Sequence, residues 1–187
     1  DEVEKVKKTL KKLLEDARRR NEEVRKEIED LDRELERLNR ESKKRIEDLL
    51  EEVKRVVDRD GGEAEEVRRR IERVVEEIER LSREAAEMNR KVLEEIEELV
   101  DRLDRTNKKI VEEAKKLVED VVRKEGEDTE LVRELERVLD TVRREAERLS
   151  RKTREVVDES RRRNKKLLEE DERVVRKVVE DAERKLK

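Results

Sequence analysis

The chain has 187 residues, 60% of them charged, and its 54 basic and 58 acidic residues leave a net charge of −4. It contains no Phe, Trp, Tyr, His, Cys, Pro or Gln, which excludes disulfides, thiol and imidazole nucleophiles and histidine metal ligands. Low hydrophobicity with high net charge would mean disorder, but here the charges nearly cancel and the 31% apolar residues are periodic.

The first segment, about 3–58, carries a stripe at Val3, Val6, Leu10, Leu14, Ala17, Asn21, Val24, Ile28, Leu31, Leu35, Leu38, Ser42, Ile46, Leu49, Val53 and Val56. One step takes about 3.5 residues, the period of a helix that shows one face to its neighbours. Acids open the segment and Lys54 and Arg55 lie near its end, as the helix dipole prefers. Asp60-Gly61-Gly62 is the expected stop, because glycine reaches positive φ without strain.

The second segment, about 63–125, has no internal Gly. Its stripe runs through Ala64, Val67, Ile71, Val74, Ile78, Leu81, Ala85, Met88, Val92, Ile96, Leu99, Leu103, Thr106, Ile110, Ala114, Leu117 and Val121. Gly126 ends it, and Asp128 is the expected N-cap of a third helix over about 129–186. That helix carries Leu131, Leu135, Val138, Val142, Ala146, Leu149, Thr153, Val156, Ser160, Asn164, Leu167, Asp171, Val174, Val178 and Ala182.

Each helix would be roughly 85–95 Å long at about 1.5 Å per residue. Turns this short make neighbours antiparallel. The expectation is all-α: one up-down-up antiparallel three-helix bundle over 1–187, straight or weakly supercoiled. A two-in-seven seam needs about 29% apolar residues and a three-in-seven face about 43%, so the composition suits narrow seams.

Asn, Ser and Thr are scarce, yet many sit on the stripe. A turn centred near 61 makes residues on the first two helices level when their numbers sum to about 122. For a turn at 127, the second and third helices are level near 254. Three structural polar layers follow: Ser42, Ser82 and Asp171 with Asn39 nearby, Asn89 with Asn164, and Thr106 with Ser150, while Asn21 comes level with Thr153. Matched heights suggest mutually satisfied groups, since an unpartnered buried polar group costs about 1–3 kcal/mol. Such layers fix register and partner choice.

Catalytic, cofactor and metal sites are not expected. Bundle metal sites want inward Glu with Glu-x-x-His, and pairs such as Glu95/Glu98 belong to the solvated face. Asp171 is the one stripe carboxylate, and a single acid makes no acid/base pair. The triplets Arg18-Arg19-Arg20, Arg68-Arg69-Arg70 and Arg161-Arg162-Arg163 lack the positive net charge and aromatics of a nucleic-acid surface. No apolar run approaches a membrane span, and Asp1-Glu2-Val3-Glu4 does not read as a signal peptide.

Idealised helices, Glu/Lys/Arg surfaces, minimal turns and layered Asn/Ser/Thr resemble a de novo designed helical bundle that carries buried hydrogen-bond networks. The resemblance covers the whole chain. It implies a hyperstable scaffold without natural activity or cofactor, soluble in the cytoplasm of an expression host and requiring no partner. The alternative is an interaction module, either a homo-oligomer or a three-helix half that accepts a designed partner helix. Doubled apolar positions such as Leu49-Leu50, Val74-Val75 and Val178-Val179 favour that alternative.

Overall fold

A computed structural model describes residues 2–60, 65–126 and 129–185. Among them are three helices, α1 (Glu2–Asp60), α2 (Glu65–Glu125) and α3 (Glu130–Lys185), and no strand. The expected Gly61-Gly62 stop, the cap Asp128 and the end at Leu186 lie outside the described residues.

At the second turn the ends have defined chemistry. Gly126 takes φ 86°, and its N–H donates to the Val122 carbonyl at 2.9 Å, the single bond that closes a left-handed helix cap. α3 is capped by Thr129, whose Oγ1 accepts from the Val132 N–H at 3.3 Å while its carbonyl takes the first helical bond from Arg133.

The described chain divides into two compact units, Asp1–Asp30 with Glu95–Asp158, and Leu31–Glu94 with Glu159–Lys187. Each takes one stretch of every helix. In the first unit Lys7 pairs with Glu134 and Arg18 with Glu145, so α1 and α3 run in parallel. Lys124 reaches Glu2 and Asn21 reaches Asn107, so α2 runs the other way. The second unit repeats the arrangement through Asn39 with Asn164, Asp32 with Ser160, and Asn39 with Asn89.

The first unit's core is Val3, Leu10, Ala17, Ile110, Ala114, Val118, Val121, Leu135 and Val142. The second has two clusters, one around Ile46, Leu50, Ile78, Leu81 and Val175 and one around Val53, Val56, Val57, Ile71 and Ala182. Each large side chain so buried contributes about 1.5–3 kcal/mol, which outweighs any single surface ion pair at about 0–1 kcal/mol.

Buried positions recur every 18 residues, five turns of 3.6: Leu10, Ile28 and Ile46 on α1, Ile71, Asn89 and Asn107 on α2. This phase corrects the stripe at several doubled positions. Met88, Leu131 and Val174 are exposed while their neighbours Asn89, Val132 and Val175 are buried, and Leu167 is exposed beside a half-buried Leu168. Thr106 likewise yields to Asn107, which is 3% exposed. Adjacent residues point about 100° apart, so a mean period alone does not choose between them.

Candidate functional site

The second unit holds a continuous polar chain through all three helices. Asn39 Nδ2 donates to Asn89 Oδ1 at 3.0 Å, and Asn89 Nδ2 donates back to Asn39 Oδ1 at 2.7 Å. The second hydrogen on each amide is also used, by the Ala85 carbonyl at 2.7 Å from Asn89 and by Asn164 Oδ1 at 3.3 Å from Asn39. Asn164 Nδ2 makes a long contact of 3.5 Å to Ser160 Oγ, and Ser160 donates to Asp32 Oδ1. Arg163 closes the chain at the surface, 3.1 Å from Asp32 Oδ2. The buried amides are satisfied, and the charge sits at the wet end of the network, where its desolvation is small.

The first unit repeats the Asn pair one 18-residue step away on each helix. Asn21 Nδ2 donates to the Ala17 carbonyl at 2.7 Å and to Asn107 Oδ1 at 3.3 Å. Here the return bond is missing: Asn107 Nδ2 turns to Ser150 Oγ at 2.9 Å, and the buried Asn21 Oδ1 has no partner. The α3 residue 18 before Asn164 is Ala146, so the third amide of the other layer has no counterpart. Thr153 is buried but bonds its own helix, at the Leu149 carbonyl.

One turn from Asn107, Arg154 places both Nε, at 2.9 Å, and Nη2 on Asp104 Oδ2. The carboxylate raises the Arg154 guanidinium above its ordinary value, first by that hydrogen bond. Asp104 Oδ1 is buried beneath the pair without a partner.

Asn39 belongs with Asn89 and Asn164, not with Ser42, Ser82 and Asp171. Those three are half-buried, and among the described residues no side-chain hydrogen bond joins them. Thr106 bonds the Arg102 carbonyl on its own helix and leaves Ser150 to Asn107. Asn21 meets Asn107 and does not reach Thr153. The register explains these corrections. Bonded asparagines on α1 and α2 have numbers summing to 128, against the expected 122. α1 stays helical through Asp60 and α2 begins only at Glu65, both later than expected, and each residue of such delay moves level partners by two. Asn107, Asp32 and Asp104 went unread. The 18-residue spacing from Asn89 would have found Asn107, whereas Asp32 and Asp104 look like any surface acid.

Asp171 sits where Thr153 and Leu135 sit one and two repeats earlier, both buried. Partial burial raises its carboxyl above the usual range, opposed by Lys43 and assisted by Glu47 and Glu170. Glu145 moves the other way, lowered by the Arg148 hydrogen bond and by Arg18. The arginine triplets are engaged in ion pairs: Arg18 with Glu145, Arg19 with Asp16, Arg69 with Glu65, Arg70 with Glu52 and Arg163 with Asp32. Among the described residues no group of three potential ligands could hold a metal ion, and no helix is long and apolar enough to cross a membrane.

No protein-family model matches the chain, and no curated protein does. A solved structure described as a computationally designed three-helix bundle is similar to it, with a TM-score of 0.65 and 18% identity. The match covers 99% of this chain and 92% of the other. The chain has the fold of a three-helix bundle, and it contains buried polar hydrogen bonds.

Proposed function

We propose that the chain is a designed structural scaffold with no enzymatic activity, in which two asparagine layers select one helix register. The closed Asn39–Asn89–Asn164 arrangement carries this reading, because it takes one side chain from each helix and only one register completes it. A shift of one turn on any helix would set a buried amide against an apolar side chain, at about 1–3 kcal/mol for each orphaned group. The fold likeness to a designed bundle supports the same reading. Residues 1–187 would then behave as one cooperative domain. Light scattering on the pure chain tests it: a monomer of 22.7 kDa is expected, and a discrete oligomer at micromolar concentration overturns it.

A second reading, an interaction module that accepts another helix, is favoured by the exposure of Leu167 at 38% and Val174 at 53% on one edge of α3. Single exposed apolar residues are common, so this observation weighs less than the closed layer.

A further inference from the structure

In the second unit an open groove of about 470 Å³ runs between α2, near its start, and α3, near its end. Its floor is apolar: Ile71 and Ala182 are buried, and Val75 and Val179 stand half-buried beside them. Its rim is acidic, with Glu72, Glu76 and Glu79 from α2 and Glu183 from α3, and Arg68 is the one base among the lining residues. All four carboxylates are exposed, and among the described residues none of them makes an ion pair or a side-chain hydrogen bond. Elsewhere on α2, Glu65, Glu77, Glu84, Glu87 and Glu94 each pair with an arginine one turn away. The groove between the same two helices in the first unit mixes its signs, with Lys108, Glu112, Lys115, Glu147 and Arg151 on its rim.

Glu72 and Glu76 are four residues apart and Glu76 and Glu79 three apart, so like charges stand on adjacent turns, an arrangement that weakens a helix. They run along the groove over about 10 Å, and among the described residues no three potential ligands converge on a metal ion. We propose that this groove docks a basic amphipathic helix, its apolar stripe on Val75 and Val179 and its lysines or arginines against Glu72, Glu76, Glu79 and Glu183. A helix laid in a groove offers anchors at i, i+3, i+4 and i+7, the spacing of the three α2 carboxylates. Cations at that spacing relieve the repulsion that α2 carries alone, and opposite charge fixes the orientation and speeds encounter. A second copy of this chain fits less well, because its own net charge is −4. Nothing in the scaffold reading depends on this groove, since no member of the asparagine layers lines it.

The test is fluorescence anisotropy of a labelled helical peptide, leucine on one face and lysine on the others, titrated with the full chain in about 0.15 M salt. Saturable one-to-one binding is expected, with amide shifts centred on the groove. The triple variant Glu72→Gln, Glu76→Gln, Glu79→Gln should weaken it by about tenfold or more. Glu15→Gln, Glu22→Gln, Glu23→Gln removes the same charge from exposed positions on α1 and should change it by less than about twofold. Alanine in place of the peptide's leucines should also weaken binding, since the floor is then left uncovered. No saturable binding, equal losses in the two triple variants, undiminished binding of the alanine peptide, or binding of a peptide with glutamate in place of lysine overturns the proposal.

Discussion

Asn39 and Asn89 donate to each other, at 3.0 and 2.7 Å, from helices running in opposite directions. Eighteen residues away on each helix, Asn21 and Asn107 share only one bond. The difference comes from α3, where Asn164 completes one layer and Ser150 diverts an amide from the other. Asn89→Ala is expected to cost about 1–3 kcal/mol in denaturant unfolding, since it orphans a buried carbonyl and an amide hydrogen. Ser150→Ala should cost less than half as much, because the freed Asn107 amide can turn to the waiting Asn21 Oδ1. Equal costs would mean that the first layer cannot rearrange.

The second turn offers a backbone test. No atom lies within 4 Å of a Cβ built on Gly126, so Gly126→Ala should destabilise through φ alone, by about 1–2 kcal/mol. Thr129→Ala removes the cap of α3 and should cost about 0.5–2 kcal/mol, whereas Thr129→Ser should be nearly silent. Thermal midpoints followed by circular dichroism measure both.

Leu35 is fully buried, and Leu35→Ala should cost about 2–5 kcal/mol. Ser82→Ala, at a half-buried hydroxyl with no hydrogen bond to Asp171, should fall within about 0.5 kcal/mol of the parent. A larger loss at Ser82 would mean that Ser42, Ser82 and Asp171 form a bonded layer in solution.

Opposite pH dependences are expected from two carboxyls. Glu145 is lowered in the folded state by Arg148 and Arg18, so its contribution is present above its unfolded value and is lost as pH falls through the folded one. Asp171 is raised, so the cost of holding it ionised is relieved as pH falls through its folded value. Glu145→Gln should therefore flatten the acid loss of stability, and Asp171→Asn should steepen it relative to the parent. Urea titrations at pH 7, 5 and 3 separate them.

The three helices and their directions were readable from the sequence because apolar residues at helical spacing and two glycine interruptions allow little else. Which member of a doubled position faces inward was not. At Thr106-Asn107 the better-spaced Thr106 is the expected inward residue, while the 18-residue repeat buries the asparagine. Layer membership failed for a related reason. Pairing depends on where the first reversal is centred, and a small error there moved Asn39 from its true partners to Ser42 and Ser82. Asp32 and Asp104 acquire meaning only through Ser160 and Arg154 on another helix, which no local pattern reveals.

The central claim is that the asparagine layers determine register more than they supply stability. Replacing Asn39, Asn89 and Asn164 together by Leu exchanges a polar layer for an apolar one, a change that is often neutral or stabilising by about 1–4 kcal/mol. The amide correlation spectrum of this triple variant, recorded beside its urea unfolding curve, tests the claim most directly. Unchanged or higher stability is expected, together with more than one set of backbone resonances as alternative registers become populated. A single set of resonances matching the parent, or a loss of several kcal/mol, would contradict it.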